Sequence, residues 1–104
     1  MSDRDTKGQE GTVTKERAVT KEPTMFKVIL LNDDYTTMEF VVLILQTVFN
    51  KAHSDAELIM LNVHQHGQGV AGVYTKEIAE TKIALVQQLA RQNEYPLKCV
   101  MEPV

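Results

Sequence analysis

The chain has 104 residues, with 11 Lys+Arg and 14 Asp+Glu for a formal net charge of −3. That length holds one ordinary core but not two. The acidic balance argues against a nucleic-acid binder, and the single cysteine argues against a disulfide framework and for a reducing compartment. The apolar runs at 28–31 and 40–45 are far too short to span a bilayer.

Residues 1–24 hold only four apolar residues, Met1, Val13, Ala18 and Val19, among five bases and five acids. Such a segment has no apolar stretch for a secretory signal and carries too many acids for a transit peptide. It buries too little surface to offset the entropy of ordering it. We expect a disordered N-terminal extension over 1–24, a single domain over 25–104, and a soluble, intracellular protein.

Within the domain, residues 25–31 form a β-rich run ended by the turn formers Asn32-Asp33-Asp34. Thr36-Thr37-Met38-Glu39 has the form of a capping box, with Thr36 as N-cap and Glu39 at N3, opening a helix to about Phe49. Its stripe is Met38, Val41, Leu45, Val48 and Phe49. Phe40, Leu43 and Ile44 widen that stripe enough to predict burial on two sides. A second box, Ser54-Asp55-Ala56-Glu57, opens a helix with Ala56, Ile59, Met60 and Val63 on one face, closed by Gly67. A strand over 70–74 follows, and Thr75 caps a third helix. The apolar stripe of that helix is Ile78, Ala79, Ile83, Val86, Leu89 and Ala90, and Asn93 and Pro96 end it. A last strand over 97–101 sets Leu97, Cys99 and Met101 on one side. The order β-α-α-β-α-β predicts an α+β two-layer domain, a three-stranded antiparallel sheet against three helices.

Few residues suggest chemistry. Asn32-Asp33-Asp34 serves as a turn and helix cap on the plainest reading, and His64 near a helix C-terminus favours the dipole there. His53, His64 and His66 do not have the i, i+4 spacing of a helical metal site, and no cysteine pair completes one. Cys99 lies on an alternating apolar strand and suits a core position better than a nucleophile. Gly67-Gln68-Gly69 lacks the lysine and following helix of a phosphate loop. No cofactor or metal is expected.

The stretch Val28-Ile29-Leu30-Leu31-Asn32-Asp33-Asp34-Tyr35-Thr36-Thr37-Met38-Glu39-Phe40-Val41 resembles the signature of the ClpS family, adaptors that deliver N-degron proteins to the ClpA–ClpP unfoldase–protease. Met60-Leu61-Asn62-Val63-His64, Gly72-Val73-Tyr74-Thr75, Glu77-Ile78-Ala79-Glu80-Thr81-Lys82 and Pro96-Leu97-Lys98-Cys99 extend the resemblance in order across 25–104.

The resemblance implies a cytoplasmic, non-enzymic adaptor that holds the first residue of another protein. It gives the free α-amine of that residue to Asn32, Asp34 and His64, with Asp33 as a weaker candidate. It gives the bulky side chain (Phe, Tyr, Trp or Leu) to a pocket of Thr36, Met38, Val41, Met60, Val63 and Leu97, with Met38 as gate. It sets Glu77, Glu80 and Lys82 against the N-terminal domain of a ClpA-type AAA+ unfoldase, with no nucleic-acid or membrane partner. Thr37 stands where the family usually has proline, which removes a pre-set φ but leaves the expected box intact. Two other readings are a peptide-binding module with a different partner and, with less support, a small hydrolase built on His64 and Asp34.

Overall fold

A computed structural model describes residues 23–104 of the protein. The expectation of a disordered extension over 1–24 therefore lies outside the described residues, except at Pro23 and Thr24, which lead without regular structure into the first strand. The elements are β1 (Met25–Leu31), α1 (Met38–Thr47), α2 (His53–His66), β2 (Gln68–Thr75), α3 (Lys76–Gln92) and β3 (Lys98–Pro103). This is the β-α-α-β-α-β order expected. The sheet is antiparallel with strand order β2-β1-β3, so the apolar β1 takes the centre.

The core joins all six elements. Val28 and Leu30 of β1, Ile44 and Leu45 of α1, Val63 of α2, Ala71 of β2, Val86 of α3 and Cys99 of β3 belong to one buried cluster. Burial pushes the Cys99 thiol up to about 11, which suits a core residue rather than a nucleophile. Ile29 points to the opposite face of the sheet. It is only 3 % exposed although its cross-strand partners Val70 and Val100 are 43 % and 41 % exposed.

Two glycines let β2 approach its neighbours. A Cβ at Gly69 would lie 2.8 Å from Val63 Cγ2, so the bare backbone lets α2 seat against β2. A Cβ at Gly72 would fall onto the Tyr74 ring, which lies over that glycine. Between them Ala71 bulges out of the pairing with β1, because Val28 faces Gly72 while Ile29 already faces Val70.

Several expected details shift. Thr36 is not the N-cap of α1. Thr37 is, with its Oγ1 accepting from the Phe40 N–H at 3.1 Å, because Asp33 has drawn the Thr36 hydroxyl into the preceding turn. Helix α1 stops at Thr47, and Met38 and Leu43 stay 42 % and 50 % exposed, so its burial is narrower than its apolar content suggested. Helix α2 starts at His53 without a side-chain cap, which leaves Ser54 inside its first turn. Gly67 does take the left-handed C-terminal position, with φ 85°. The chain reverses so sharply there that β2 begins at Gln68, two residues before the expected start. Thr75 precedes α3 as expected, but its side chain makes no capping bond, and Ile78 is half exposed.

Candidate functional site

The Asn32–Thr37 loop is fixed at both ends. At its start the Asn32 N–H donates to the Gly67 carbonyl at 2.9 Å, tying the end of β1 to the end of α2. In its middle Asp33 Oδ1 accepts from the N–H groups of Tyr35 and Thr36 at 2.8 and 2.7 Å, while Oδ2 accepts from the Thr36 hydroxyl at 2.7 Å. This is a side-chain-closed turn, the local structure Asp favours. Burial would raise the Asp33 carboxyl, but the bonds from the Thr36 hydroxyl, the Thr36 N–H and the Tyr35 N–H outweigh it and hold the group below its ordinary 3.8. At its far end the loop passes into the Thr37 cap. Behind that cap the Phe40 and Tyr95 rings pack with centroids 4.7 Å apart.

The loop is one wall of a cavity of about 510 Å³. Helix α1 contributes Met38 and Val41, three residues apart on one face. Helix α2 contributes Met60, Val63 and His64, likewise on one face. Val41 and Val63 are 7 % and 2 % exposed and make an apolar floor, with Met60 and the more exposed Met38 above them. Asn32, Asp34 and His64 line the same cavity as exposed residues, and Thr36 and Asp33 complete the loop wall. The lining holds three carboxylates, of Asp33, Asp34 and Glu39, and no lysine or arginine. A site with an apolar floor and an anionic rim suits a ligand that joins a cation to an apolar group.

Nearly every residue expected to hold the first residue of a ligand is brought together here. Leu97 is the exception: it does not line this cavity. It is 4 % exposed, packs into the core and edges a separate cleft between α3 and β3. Sequence reading missed Tyr35, Thr37 and Glu39, which also line the cavity. The exposed aromatic and the acid beside the turn were visible signals, whereas the role of Thr37 depended on where the cap would fall.

The three histidines are not gathered. His64 lines the cavity, His66 Nδ1 lies 3.3 Å from the Asn62 carbonyl of its own helix, and His53 pairs with Glu57 at 3.2 Å. Among the described residues no three His, Cys, Asp or Glu side chains are placed to hold a metal ion. No helix among them is long and apolar enough to cross a membrane.

The surface expected to meet a partner lies on α3. Glu77 and Glu80 are exposed, as a docking face requires. Lys82 differs: its Nζ donates to the Val48 carbonyl at 2.7 Å and sits 5.1 Å and 5.9 Å from the Tyr74 and Phe49 ring centroids. It binds α3 to the end of α1 rather than projecting freely.

The fold and cavity together define a small α+β domain with one apolar-floored, acid-rimmed cavity between its Asn32–Thr37 loop, α1 and α2. The sequence matches the family of ATP-dependent Clp protease adaptor protein ClpS over residues 21–100. The chain belongs to the ClpS family, adaptors of the ATP-dependent Clp protease with no catalytic step of their own. It is 51 % identical over 108 residues to the Clp protease adapter ClpS of Parvibaculum lavamentivorans, covering 98 % of each chain. It is 64 % identical over 83 residues to that of Acetivibrio thermocellus, covering 80 % of this chain and 84 % of the relative. The solved structure of Agrobacterium tumefaciens ClpS2 bound to L-phenylalaninamide superposes with a TM-score of 0.77 at 37 % identity, covering 80 % of this chain and all (100 %) of that one.

Proposed function

We propose that this adaptor grips the first residue of an N-degron protein in the cavity between the Asn32–Thr37 loop, α1 and α2, and delivers that protein to a ClpA-type AAA+ unfoldase in the cytoplasm. The observation that carries the reading is the lining itself: buried Val41 and Val63 beneath carboxylates, with no lysine or arginine. L-phenylalaninamide, which the Agrobacterium relative binds, has a free α-amine, a phenyl side chain, and an amide where a peptide bond would continue.

The α-ammonium of the substrate meets the Asn32 side-chain oxygen, the Asp34 carboxylate and a ring nitrogen of His64. These acceptors match its three donors, and the carboxylate adds a charge-assisted bond. The imidazole must be neutral to accept. Asp33 acts from the turn instead, since both its oxygens already hold protein donors. The first side chain rests on Val41 and Val63 between Met38 and Met60, framed by Thr36, with Leu97 contributing through the core behind. Met38 is half exposed and flexible, as a gate would be. Large flat or γ-branched side chains fill such a space, while a short or charged one does not repay its desolvation.

Glu77 and Glu80 form the docking face for the N-terminal domain of the unfoldase, and Lys82 holds the underlying helices in place. Pro23 and Thr24 lie beside this face, where they line one depression with Glu77. Binding to peptides that differ only in residue one tests the reading. Phe, Tyr, Trp and Leu should bind, while Ala, Lys and Asp should bind at least about tenfold more weakly. Equal affinity across the set would contradict it.

A further inference from the structure

The two edges of the sheet differ in what they offer a partner. β2 carries no charged residue and its pairing with β1 is broken by the bulge, so nothing along it fixes a register. β3 pairs with β1 without a break. Its residues Lys98, Val100 and Glu102 are exposed on the face turned away from the helices, while Cys99 and Met101 turn toward the core. Lys98 and Glu102 thus stand to either side of Val100, which is 41 % exposed. No ion pair among the described residues holds either of them.

The free backbone groups of β3 follow from its register. Met25 lies opposite Val104, and the Val104 N–H donates to the Met25 carbonyl at 2.9 Å. In an antiparallel ladder the bonds of successive residues point to opposite sides. Counting back from Val104, the N–H and C=O groups of Glu102, Val100 and Lys98 point to β1, and those of Met101 and Cys99 point to the open edge. No other backbone bond among the described residues reaches Cys99 or Met101. Pro96 and Pro103 have no N–H, so a proline bounds this edge at each end.

A second copy of the same strand satisfies the edge. Placed antiparallel about a two-fold axis at Val100, Cys99 of each copy faces Met101 of the other. These are the residues whose groups are free, so each pair exchanges both its bonds. Lys98 then faces Glu102 of the other copy on both sides of the axis. It does so in the pair type whose side chains lie closest, with Cα atoms roughly 4.5 Å apart. A shift of two residues either way separates these charges, and a parallel pairing sets like charge beside like. Lysine on an exposed edge ordinarily blocks association. Here the antiparallel register sets a glutamate opposite it.

We infer that the β3 edge is an interface for a second copy of this chain, joining two three-stranded sheets into one continuous sheet. The apolar row of Val70, Ile29 and Val100 then runs on across the junction. No β3 residue lines the cavity at the Asn32–Thr37 loop, so the pair carries two such cavities. The contact is short, and the dimer is a weak one, with a dissociation constant on the order of 100 μM.

Sedimentation equilibrium on the full chain tests this. Between about 10 and about 500 μM the mass average should rise from near the monomer value to above about 1.5 times it. Glu102→Lys sets Lys98 opposite a like charge on both sides of the axis and should weaken association by at least about tenfold, as should Lys98→Glu. Combining Lys98→Glu with Glu102→Lys restores opposite charges in every pair and should return association to within about threefold of the original. These variants replace exposed side chains outside the cavity, so affinity for a Phe-initiated peptide should stay unchanged in all of them. A monomer at every concentration would overturn the proposal. So would association that either single variant leaves intact, or that the combined variant fails to restore.

Discussion

Asp33 and Thr36 close a turn in which both oxygens of one carboxylate are occupied. Oδ1 takes the Thr36 N–H at 2.7 Å, and Oδ2 takes the hydroxyl of the same residue, also at 2.7 Å. Two consequences follow. Asn32 and Asp34, on either side of Asp33, are held along one cavity wall with exposed side chains. The hydroxyl that would have capped α1 is withdrawn, and the cap passes to Thr37.

Substitutions at Asp33 separate shaping from contact. An asparagine oxygen can still accept the Tyr35 and Thr36 N–H groups, whereas alanine accepts nothing. Asp33→Asn should keep peptide affinity within about threefold, and Asp33→Ala should lose about tenfold together with about 1–2 kcal/mol of stability. The pH dependence follows from the lowered carboxyl. The turn's contribution to stability is complete above the ordinary carboxyl value of 3.8 and is lost as pH falls through the lower folded value. Chemical denaturation between pH 2 and 6, on the order of the carboxyl range, should therefore show an acid limb that Asp33→Asn flattens. An affinity loss in Asp33→Asn as large as that of Asp33→Ala would mean that the charge itself touches the ligand.

Thr37 is already set for proline, the residue that the motif resemblance implies at this position. Its φ is −71°, inside the range proline adopts. Thr37→Pro gives up the capping bond to Phe40 but restricts the unfolded chain, two effects of about 1 kcal/mol with opposite sign. Thermal unfolding should show a stability change within about 1 kcal/mol, with peptide affinity retained. A loss above about 3 kcal/mol would mean that the backbone around Thr37 cannot accept the ring.

Lys82 and the two glutamates of α3 should behave differently. Glu77→Ala with Glu80→Ala should weaken docking to the unfoldase N-terminal domain while leaving stability and peptide affinity unchanged, since exposed charges contribute little to folding. Lys82→Ala removes the bond to the Val48 carbonyl and the contacts with two rings. It should cost about 1–2 kcal/mol of stability in addition to any docking defect. Unfolding curves of the two variants with a binding assay for the unfoldase domain decide this. An unaltered midpoint for Lys82→Ala would return it to the plain exposed face.

The strands, the Asn-Asp-Asp turn and the left-handed Gly67 were legible because each depends on neighbours in the chain. The cap of α1 was not, because two adjacent threonines compete for it and the hydrogen bond to Asp33 decides between them. Met38 and Leu43 read as core from their apolar character, but burial depends on what packs opposite, and there a groove between α1 and α2 stays open. Most of the cavity followed from motif resemblance, since residues 32–41 and 60–64 are far apart in the chain and are brought together by the packing of α1 on α2, beside the bond from Asn32 to Gly67. The tie of Lys82 to Val48 and the turning of Leu97 into the core are tertiary facts with no local signal.

The most direct measurement compares one Phe-initiated peptide with its N-acetylated form in the same titration. Acetylation leaves the side chain intact but removes the positive charge and two of the three donors that Asn32, Asp34 and His64 are proposed to meet. We expect acetylation to weaken binding by about a hundredfold, the effect of losing charge-assisted bonds worth roughly 3 kcal/mol. Equal affinity for the two forms would contradict recognition of the free amine and leave the cavity as a hydrophobic groove without end specificity.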